Sequence, residues 1–100
     1  MKFEWDEQKN TANIQKHGIS FEQAQTIFDR TILSHIDDRF DYRETRELSF
    51  GVAADGDAVL AVAHTLRGEK VRIISARHAS AKERGFYYAY VEKHANKKDE

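Results

Sequence analysis

The chain has 100 residues, contains no cysteine or proline, and carries a formal net charge of −1. This length suits one domain with one modest core, and the absence of cysteine excludes disulfides, thiolate metal sites and cysteine nucleophiles. Apolar residues form 40% of the chain, which excludes a disordered protein, and no apolar run approaches the length of about 18 residues that crosses a membrane. The first residues lack the apolar stretch of a secretory signal, so we expect a cytoplasmic protein.

The N-terminal segment predicts a short strand followed by a helix. Phe3 and Trp5 alternate with polar residues, as in a strand. A helix follows over residues 6–17, begun by an aspartate cap and ended by a glycine. Its apolar residues are only Ala12 and Ile14, so the helix is weakly amphipathic.

A second helix and another strand follow. Residues 20–23 read Ser-Phe-Glu-Gln, which is a capping box, and apolar residues at helical spacing predict a helix over residues 21–29. Residues 31–36 are rich in residues that favour strands, whereas residues 37–43 are polar and charged, as in a loop.

The centre of the chain predicts three consecutive antiparallel strands. Apolar residues indicate strands over residues 47–54, 58–66 and 70–76. Turns that contain glycine, at residues 55–57 and 67–69, separate them. Connections this short join antiparallel neighbours.

A last helix completes the domain. Ser80 and Glu83 have capping-box spacing, and a helix is predicted over residues 81–94. The side chains expected to dock on the sheet are Phe86, Tyr87, Tyr90 and Val91. The element order β-α-α-β-β-β-β-α predicts an α+β fold, a small antiparallel sheet with helices packed on it. We assign one domain to residues 1–95 and a charged, frayed tail to residues 96–100.

Charge is distributed unevenly along the chain. Residues 1–62 hold seven Lys or Arg and twelve Asp or Glu, whereas residues 63–100 hold nine Lys or Arg and five Asp or Glu. We therefore expect a basic face suited to phosphate and an acidic face suited to a basic partner. The acidic residues proposed as a docking surface are Asp37, Asp38, Asp41, Glu44 and Glu47. A solvated loop is the alternative interpretation of this acidic cluster.

Arginines concentrate where the last strand meets the last helix. Strand alternation places Arg72 on one face with Ile74 and Ala76, and Arg77 follows the end of the predicted strand. Arg84 lies near the start of the helix, whose free N–H groups favour an anion. Guanidinium groups match phosphate oxygens with paired hydrogen bonds, so the group suggests a phosphodiester clamp. Surface ion pairs are the alternative.

Histidine and tyrosine supply the other candidate groups. His64 lies on the apolar face of a predicted central strand, where it is either a general base or a hydrogen-bonded core residue. Tyr87 and its neighbours cannot all face the core, so an exposed tyrosine is available to stack on a base or to bind a phosphate. The histidines lack metal-binding spacing and there is no glycine-rich phosphate loop, so we predict neither a metal site nor a cofactor.

Two motifs lie near the ends of the chain. Residues 3–6 (Phe-Glu-Trp-Asp) and residues 13–21 (Asn-Ile-Gln-Lys-His-Gly-Ile-Ser-Phe) form the first. The second consists of residues 72–77 (Arg-Ile-Ile-Ser-Ala-Arg), Glu83, Arg84 and Tyr87. In sequence and spacing they resemble the opening and closing signatures of the BrnT family, toxins of bacterial type II toxin–antitoxin pairs.

This resemblance implies both a fold and a function. The fold implied is RelE-like, a small antiparallel sheet with helices packed on it. The activity implied is that of a ribonuclease, which blocks translation by degrading RNA. The partner implied is a BrnA-type antitoxin with a ribbon-helix-helix DNA-binding region, so that DNA is contacted only through the antitoxin complex.

The resemblance also assigns site residues motif by motif. Lys16 and His17 match a Lys-His-Gly element, and Arg46 matches a Glu-x-Arg element. The closing signature contributes Arg72, Arg77, Glu83 and Arg84. His78 departs from the family pattern, in which a basic residue, often lysine, is expected.

The mechanism we expect is metal-independent RNA cleavage. A base removes the proton of a ribose 2′-hydroxyl, and the 2′-oxygen attacks the adjacent phosphate. Arg72 and Arg77 would stabilise the charge that develops in the transition state. The candidate bases or acids are His64, His17 and Glu83. The residues expected to bind RNA phosphates are Arg46, Arg67, Arg84, Lys16 and Tyr87.

Two other functions are compatible with the sequence. An inactive relative would serve only as a binding module for an antitoxin or another partner, and its arginines would be held in intramolecular ion pairs. A DNA-binding regulator would need a basic recognition helix, and the sequence contains no evident helix-turn-helix.

Overall fold

The computed structural model describes residues 1–38 and 43–98, with side chains described as far as residue 94. The strands are β1 (Lys2–Glu4), β2 (Leu33–Ile36), β3 (Arg46–Val52), β4 (Val59–Arg67) and β5 (Lys70–His78). The helices are α1 (Glu7–His17), α2 (Phe21–Gln25), which continues as the 3-10 turn Thr26–Asp29, and α3 (Ala81–Lys98). The observed element order confirms the predicted one, although residues 39–42 of the predicted loop lie outside the described part of the chain.

The sheet has the strand order β1-β5-β4-β3-β2. Strands β2 to β5 form an antiparallel meander, as the short turns predict. Strand β1 differs from the expected antiparallel sheet, because it pairs in parallel with β5. The sheet is therefore mixed. Parallel pairing is possible here because nearly the whole domain separates the two strands along the chain.

Two apolar clusters cover the two faces of the sheet. On one face, the α2 segment packs on the sheet, and the buried residues are Ile19, Phe21, Ala24, Ile27, Ala53, Leu60, Val62, Ile73 and Ala76. On the other face, Tyr87 of α3 packs on the sheet with Leu48, Phe50, Val59, Ala61 and Ala79. The second face is called the α3 side below. In the described part of the chain, no helix is both long and apolar enough to cross a membrane.

Helix α1 is anchored by asparagines rather than by apolar residues. Ala12 is exposed and Ile14 is 45% exposed, whereas Asn10 and Asn13 are buried. The Asn13 amide donates to the carbonyls of Ile19 and Ala76, and its oxygen accepts from the Ala76 N–H. Strand β1 pairs only with the start of β5, so the rest of this edge of β5 has no neighbouring strand there. The Asn13 side chain hydrogen-bonds to backbone groups on this unpaired edge.

The second helical segment begins as predicted but changes type. The Ser20 hydroxyl accepts from the Gln23 N–H, which confirms the N-cap of α2. The tighter 3-10 turn then places Ile27 against the sheet, where its Cβ would lie 3.0 Å from a Cβ built on Gly51. This close approach explains why a glycine is accommodated inside β3.

Helix α3 confirms the predicted capping box and is longer than predicted. The Ser80 N–H donates to Glu83, and the Glu83 N–H donates back to the Ser80 hydroxyl. The helix continues past the predicted end at residue 94, to Lys98. Tyr87 packs in the core as expected, but Phe86 is 60% exposed, contrary to the prediction that it docks on the sheet.

Candidate active site

A β-bulge in β5 determines which arginines share a face. The pairing of β4 with β5 shifts between Ala63 and His64: Ala63 pairs with Ser75 and His64 pairs with Ile73, which leaves Ile74 as the extra residue. After the bulge the alternation is inverted. Ala76 is therefore buried on the face opposite Arg72, and the predicted grouping of these two residues is wrong.

The bulge places Arg72, Ser75 and Arg77 together on the α3 side. Arg72 is opposite Thr65 and Arg77 is opposite Ala61, and paired residues of adjacent strands share a face. Strict alternation would have placed residues five apart on opposite faces. Ser75 is exposed, and we call these three residues the arginine strip.

Arg72 is paired with a carboxylate from the neighbouring strand. Its Nη1 lies 2.7 Å from Glu4 Oε2, and the two residues are register partners of β5 and β1. About a quarter to a third of each side chain is exposed, 26% for Arg72 and 30% for Glu4. This solvent-accessible surface therefore carries a guanidinium cation next to a carboxylate that can accept a proton or a hydrogen bond.

Arg77 is paired with the carboxylate that caps α3. Its Nη1 and Nη2 donate to the two Glu83 oxygens at 2.7 and 3.0 Å. These hydrogen bonds are the main reason that the pKa of Glu83 is lowered to about 2, with a further contribution from the Ser80 N–H. Glu83 is therefore ionised at neutral pH and is a weak proton acceptor.

Two more arginines lie near the other end of β5. Arg46 shares a row across the sheet with Thr65 and Arg72, so it also lies on the α3 side. Glu44 joins Arg46 to Arg67, with a nitrogen–oxygen distance of 3.5 Å to each. Together with the strip, these residues place guanidinium groups on three adjacent strands, each beside a carboxylate.

His64 is on the other face of the sheet. It is buried at 6% exposure, pairs with Ile73, and packs its ring edge-on against Phe28 at a centroid distance of 5.0 Å. Its Nε2 lies 2.7 Å from the Ser49 hydroxyl, which in turn lies 2.6 Å from the Ser34 hydroxyl. Burial lowers the pKa of His64, against a smaller opposite effect of Glu47. The structure therefore separates this histidine from the arginine strip.

The remaining predicted residues are dispersed. Lys16 and His17 end α1, which lies along β5. Tyr87 is buried and its hydroxyl donates to the Thr31 carbonyl, so it supports α3 rather than an open surface. Arg84 donates to the Ala79 carbonyl at 3.0 Å.

Sequence reasoning missed Glu4 and Ser75. Glu4 lies within the first motif, but only the parallel pairing of β1 with β5 brings it to Arg72. Ser75 reaches the face of Arg72 only through the bulge. A search for carboxylates that alternate out of the core face of β1 would have found Glu4, since Phe3 packs inward.

The predicted acidic surface does not have one uniform environment. Asp37 is buried and Asp38 is exposed, while Glu44 is engaged with two arginines. Asp41 lies outside the described residues. Among the residues that the structure describes, no three His, Asp or Glu side chains are grouped as a metal site.

Comparison with known families supports the two motifs except for Phe3, Glu4, Arg84 and Tyr87, which lie outside the matched range. The family model for the ribonuclease toxin BrnT of type II toxin–antitoxin systems matches residues 5–83. This range includes the arginine strip but ends before Arg84 and Tyr87. No curated protein matches the sequence significantly. A type II system pairs its toxin with an antitoxin, so an antitoxin is implied as a partner. The chain belongs to the BrnT family of ribonuclease toxins.

Proposed function

We propose that the chain cleaves RNA on the arginine strip, without a metal ion, and inhibits translation by removing RNA. The observation that carries the proposal is the bulge in β5, which places Arg72, Ser75 and Arg77 on one accessible face. A row of arginines beside an exposed strand position suits the phosphates of a single RNA strand. The family supplies the substrate class.

The ion pairs do not prevent the two arginines from binding phosphate. The Arg72–Glu4 pair is partly exposed and joined through one guanidinium nitrogen, and such a pair contributes only about 0 to 1 kcal/mol, so a phosphate competes readily for Arg72. Arg72 and Arg77 are five residues apart, so their Cα atoms are separated by roughly 13 to 17 Å. We therefore assign them to different phosphates of one strand.

Glu4 and Arg72 are proposed as the reacting pair. The Glu4 carboxylate takes the proton of a ribose 2′-hydroxyl, the 2′-oxygen bonds to the adjacent phosphorus, and the bond from phosphorus to the next 5′-oxygen breaks. The leaving oxygen takes a proton from water, and the hydroxide that remains takes the proton from Glu4. The products are a 2′,3′-cyclic phosphate and a 5′-hydroxyl, and the Glu4 carboxylate is restored. Arg72, 2.7 Å from Glu4, neutralises the charge that grows on the phosphate oxygens. A carboxylate and a guanidinium this close can serve neighbouring atoms of one nucleotide.

Glu83 and His64 fit this role less well. Glu83 has its pKa lowered to about 2, so it holds a proton weakly at neutral pH. His64 is buried on the opposite face with its Nε2 engaged by Ser49. We therefore assign Glu83 to positioning Arg77, and His64 to the core.

The test is cleavage of a labelled single-stranded RNA by purified protein in excess chelator. We expect cleavage with 2′,3′-cyclic phosphate ends, and a loss of rate of about 100-fold or more for Arg72→Ala and Glu4→Gln. Lys9→Ala, which removes an exposed cation of α1, is the matched control and should retain activity. Unfolding curves confirm that each variant is folded.

Two results would overturn parts of the proposal. Cleavage that appears only when a divalent cation is added would rule out the metal-independent mechanism. Full activity in folded Arg72→Ala and Arg77→Ala would remove the arginine strip as the site.

A second candidate function is a binding module without catalysis. It is favoured by the observation that Arg72 and Arg77 are both engaged with carboxylates of the same chain. Expression in cells that lack an antitoxin separates the two functions. Growth arrest with loss of RNA supports the ribonuclease, whereas normal growth at normal protein levels supports the module.

A further inference from the structure

An apolar groove lies beside the arginine strip, on the α3 side of the molecule. It has a volume of about 620 Å³ and runs between α3 and strands β2 and β3. Leu33, His35 and Phe50 form its wall on the sheet. The groove leaves apolar side chains in contact with water beside charged residues, which is a surface that can receive a partner.

The helix wall of the groove is a single face of α3. Lys82, Phe86, Ala89 and Lys93 recur at intervals of four, three and four residues, which places them in one line along the helix. Phe86 is 60% exposed in the middle of this line, although an aromatic side chain of this size is usually covered. The two lysines mark the ends, separated by roughly 16 Å along the helix axis.

The charge of the groove selects the chemistry of its occupant. Lys82 and Lys93 provide positive charge at both ends. Glu83, the acidic residue of the lining, is bonded to Arg77 by both of its oxygens, so its charge is largely compensated. A complementary segment is apolar in its centre and carries carboxylates at both ends.

We propose that this groove is the docking site of the antitoxin, through an amphipathic segment of about three helical turns with an apolar centre and acidic ends. Phe86 is the central anchor of the interface, in the manner of an aromatic hot spot, and Lys82 and Lys93 fix the register. The occupant lies next to Glu83, which holds Arg77, so docking there also covers one end of the arginine strip. The sequence had instead suggested a basic segment on the acidic loop.

The test measures the dissociation constant of the cognate antitoxin for the full chain by calorimetry, in an Arg72→Ala background. We expect Phe86→Ala to weaken binding about 30-fold or more, as for a central anchor. Lys82→Glu combined with Lys93→Glu should weaken it about tenfold or more. The identity of the partner rests on the family, whereas the binding measurement does not depend on RNA cleavage. A failure of the proposed chemistry therefore leaves this result interpretable.

Matched controls come from the same chain. Tyr88→Ala truncates another exposed aromatic of α3 outside the groove, and Lys9→Glu combined with Lys16→Glu makes the same change in net charge on α1. Both controls should bind within about threefold of the parent. The proposal is overturned if Phe86→Ala binds as tightly as Tyr88→Ala. It is also overturned if sedimentation shows that the parent alone is a dimer that Phe86→Ala dissociates, because the groove would then hold a second copy.

Discussion

The Glu83 carboxylate serves two neighbours at once. One of its oxygens accepts from the Ser80 N–H at the start of α3, and both oxygens accept from Arg77. The sequence predicted the capping box from the spacing of residues 80 and 83, because that motif is local. It did not predict the bidentate pair, because Arg77 reaches Glu83 only when the chain turns from β5 into α3.

The lowered pKa of Glu83 leads to a prediction about stability and pH. Its pKa falls from 4.5 to about 2 on folding. The carboxylate therefore contributes its full stabilisation above about pH 4.5 and loses it as the pH falls through 2. Solvent still reaches both side chains of the ion pair, with 39% of Arg77 and 23% of Glu83 exposed, and this screening reduces the contribution. We expect the difference in free energy of unfolding between the parent and Glu83→Gln to shrink steadily from pH 6 to pH 2.

Urea unfolding at several pH values measures this difference. Glutamine keeps an acceptor for the hydrogen bond to the helix start, so the variant removes the charge and the paired hydrogen bonds to Arg77. Glu92→Gln, at an exposed position further along α3, is the control and should show no comparable pH dependence. A difference that stays constant down to pH 2 would contradict the assigned pKa.

Helix α1 illustrates how polar residues attach a whole element. The sequence predicted the bounds of this helix from an aspartate cap and a terminal glycine. In the structure, Asp6 accepts from the Gln8 and Lys9 N–H groups, and Gly18 adopts a φ of 72°. The pattern of apolar residues did not predict the buried face of this helix, because that face carries asparagines, which hydrogen-bond to backbone groups of the neighbouring segments. Asn10 is bound in the same way, accepting from the Phe21 N–H and donating to Glu22.

We predict that Asn13→Ala is one of the most destabilising single changes in α1. It leaves the Ala76 N–H and the carbonyls of Ala76 and Ile19 without their partners in a buried position. The expected loss is about 3 kcal/mol in the free energy of unfolding. Gln15→Ala, on the exposed side of the same helix, should change it by less than about 0.5 kcal/mol. Equal effects of the two substitutions in denaturant titrations would refute the anchoring role.

The molecule as a whole is a sheet with a helical layer on each face, and the two faces carry different features. The α2 side is closed by the larger apolar cluster and holds His64, whereas the α3 side carries the arginine strip and the groove. The order of the predicted elements indicated a sheet with helices packed on it, but it did not predict which features each face carries. The pairing of β1 and the register of β5 decide which polar residues face each layer, and both depend on contacts between distant parts of the chain.

The contact between the sheet and the α2 layer can be tested with two glycines. A Cβ at Gly51 would lie 3.0 Å from the Ile27 Cβ and 3.1 Å from the Ile32 Cγ2, so Gly51→Ala should cost about 1 to 3 kcal/mol of stability. Gly85 lies inside α3 with no neighbour within 4 Å of such a Cβ. Gly85→Ala should therefore raise stability by about 0.5 to 1 kcal/mol. Thermal unfolding measures the stability of both variants. If Gly51→Ala left the stability unchanged, the α2 layer would not be tightly packed on the sheet at this position.

Ile74, the extra residue in β5, shifts the alternation of side chains along the strand by one residue. Deletion of Ile74 would remove the bulge and leave a regular ladder, in which Ser75 still pairs with Ala63 and Arg77 with Ala61. Arg72 and Arg77 would therefore both stay on the α3 side, although they would be one residue closer along the chain. Regular pairing at unchanged chain length would instead turn Arg77 towards the α2 side. An alignment with a one-residue gap at Ile74 therefore preserves the face of both arginines, whereas an ungapped alignment with a strand that lacks the bulge would place Arg77 on the wrong face.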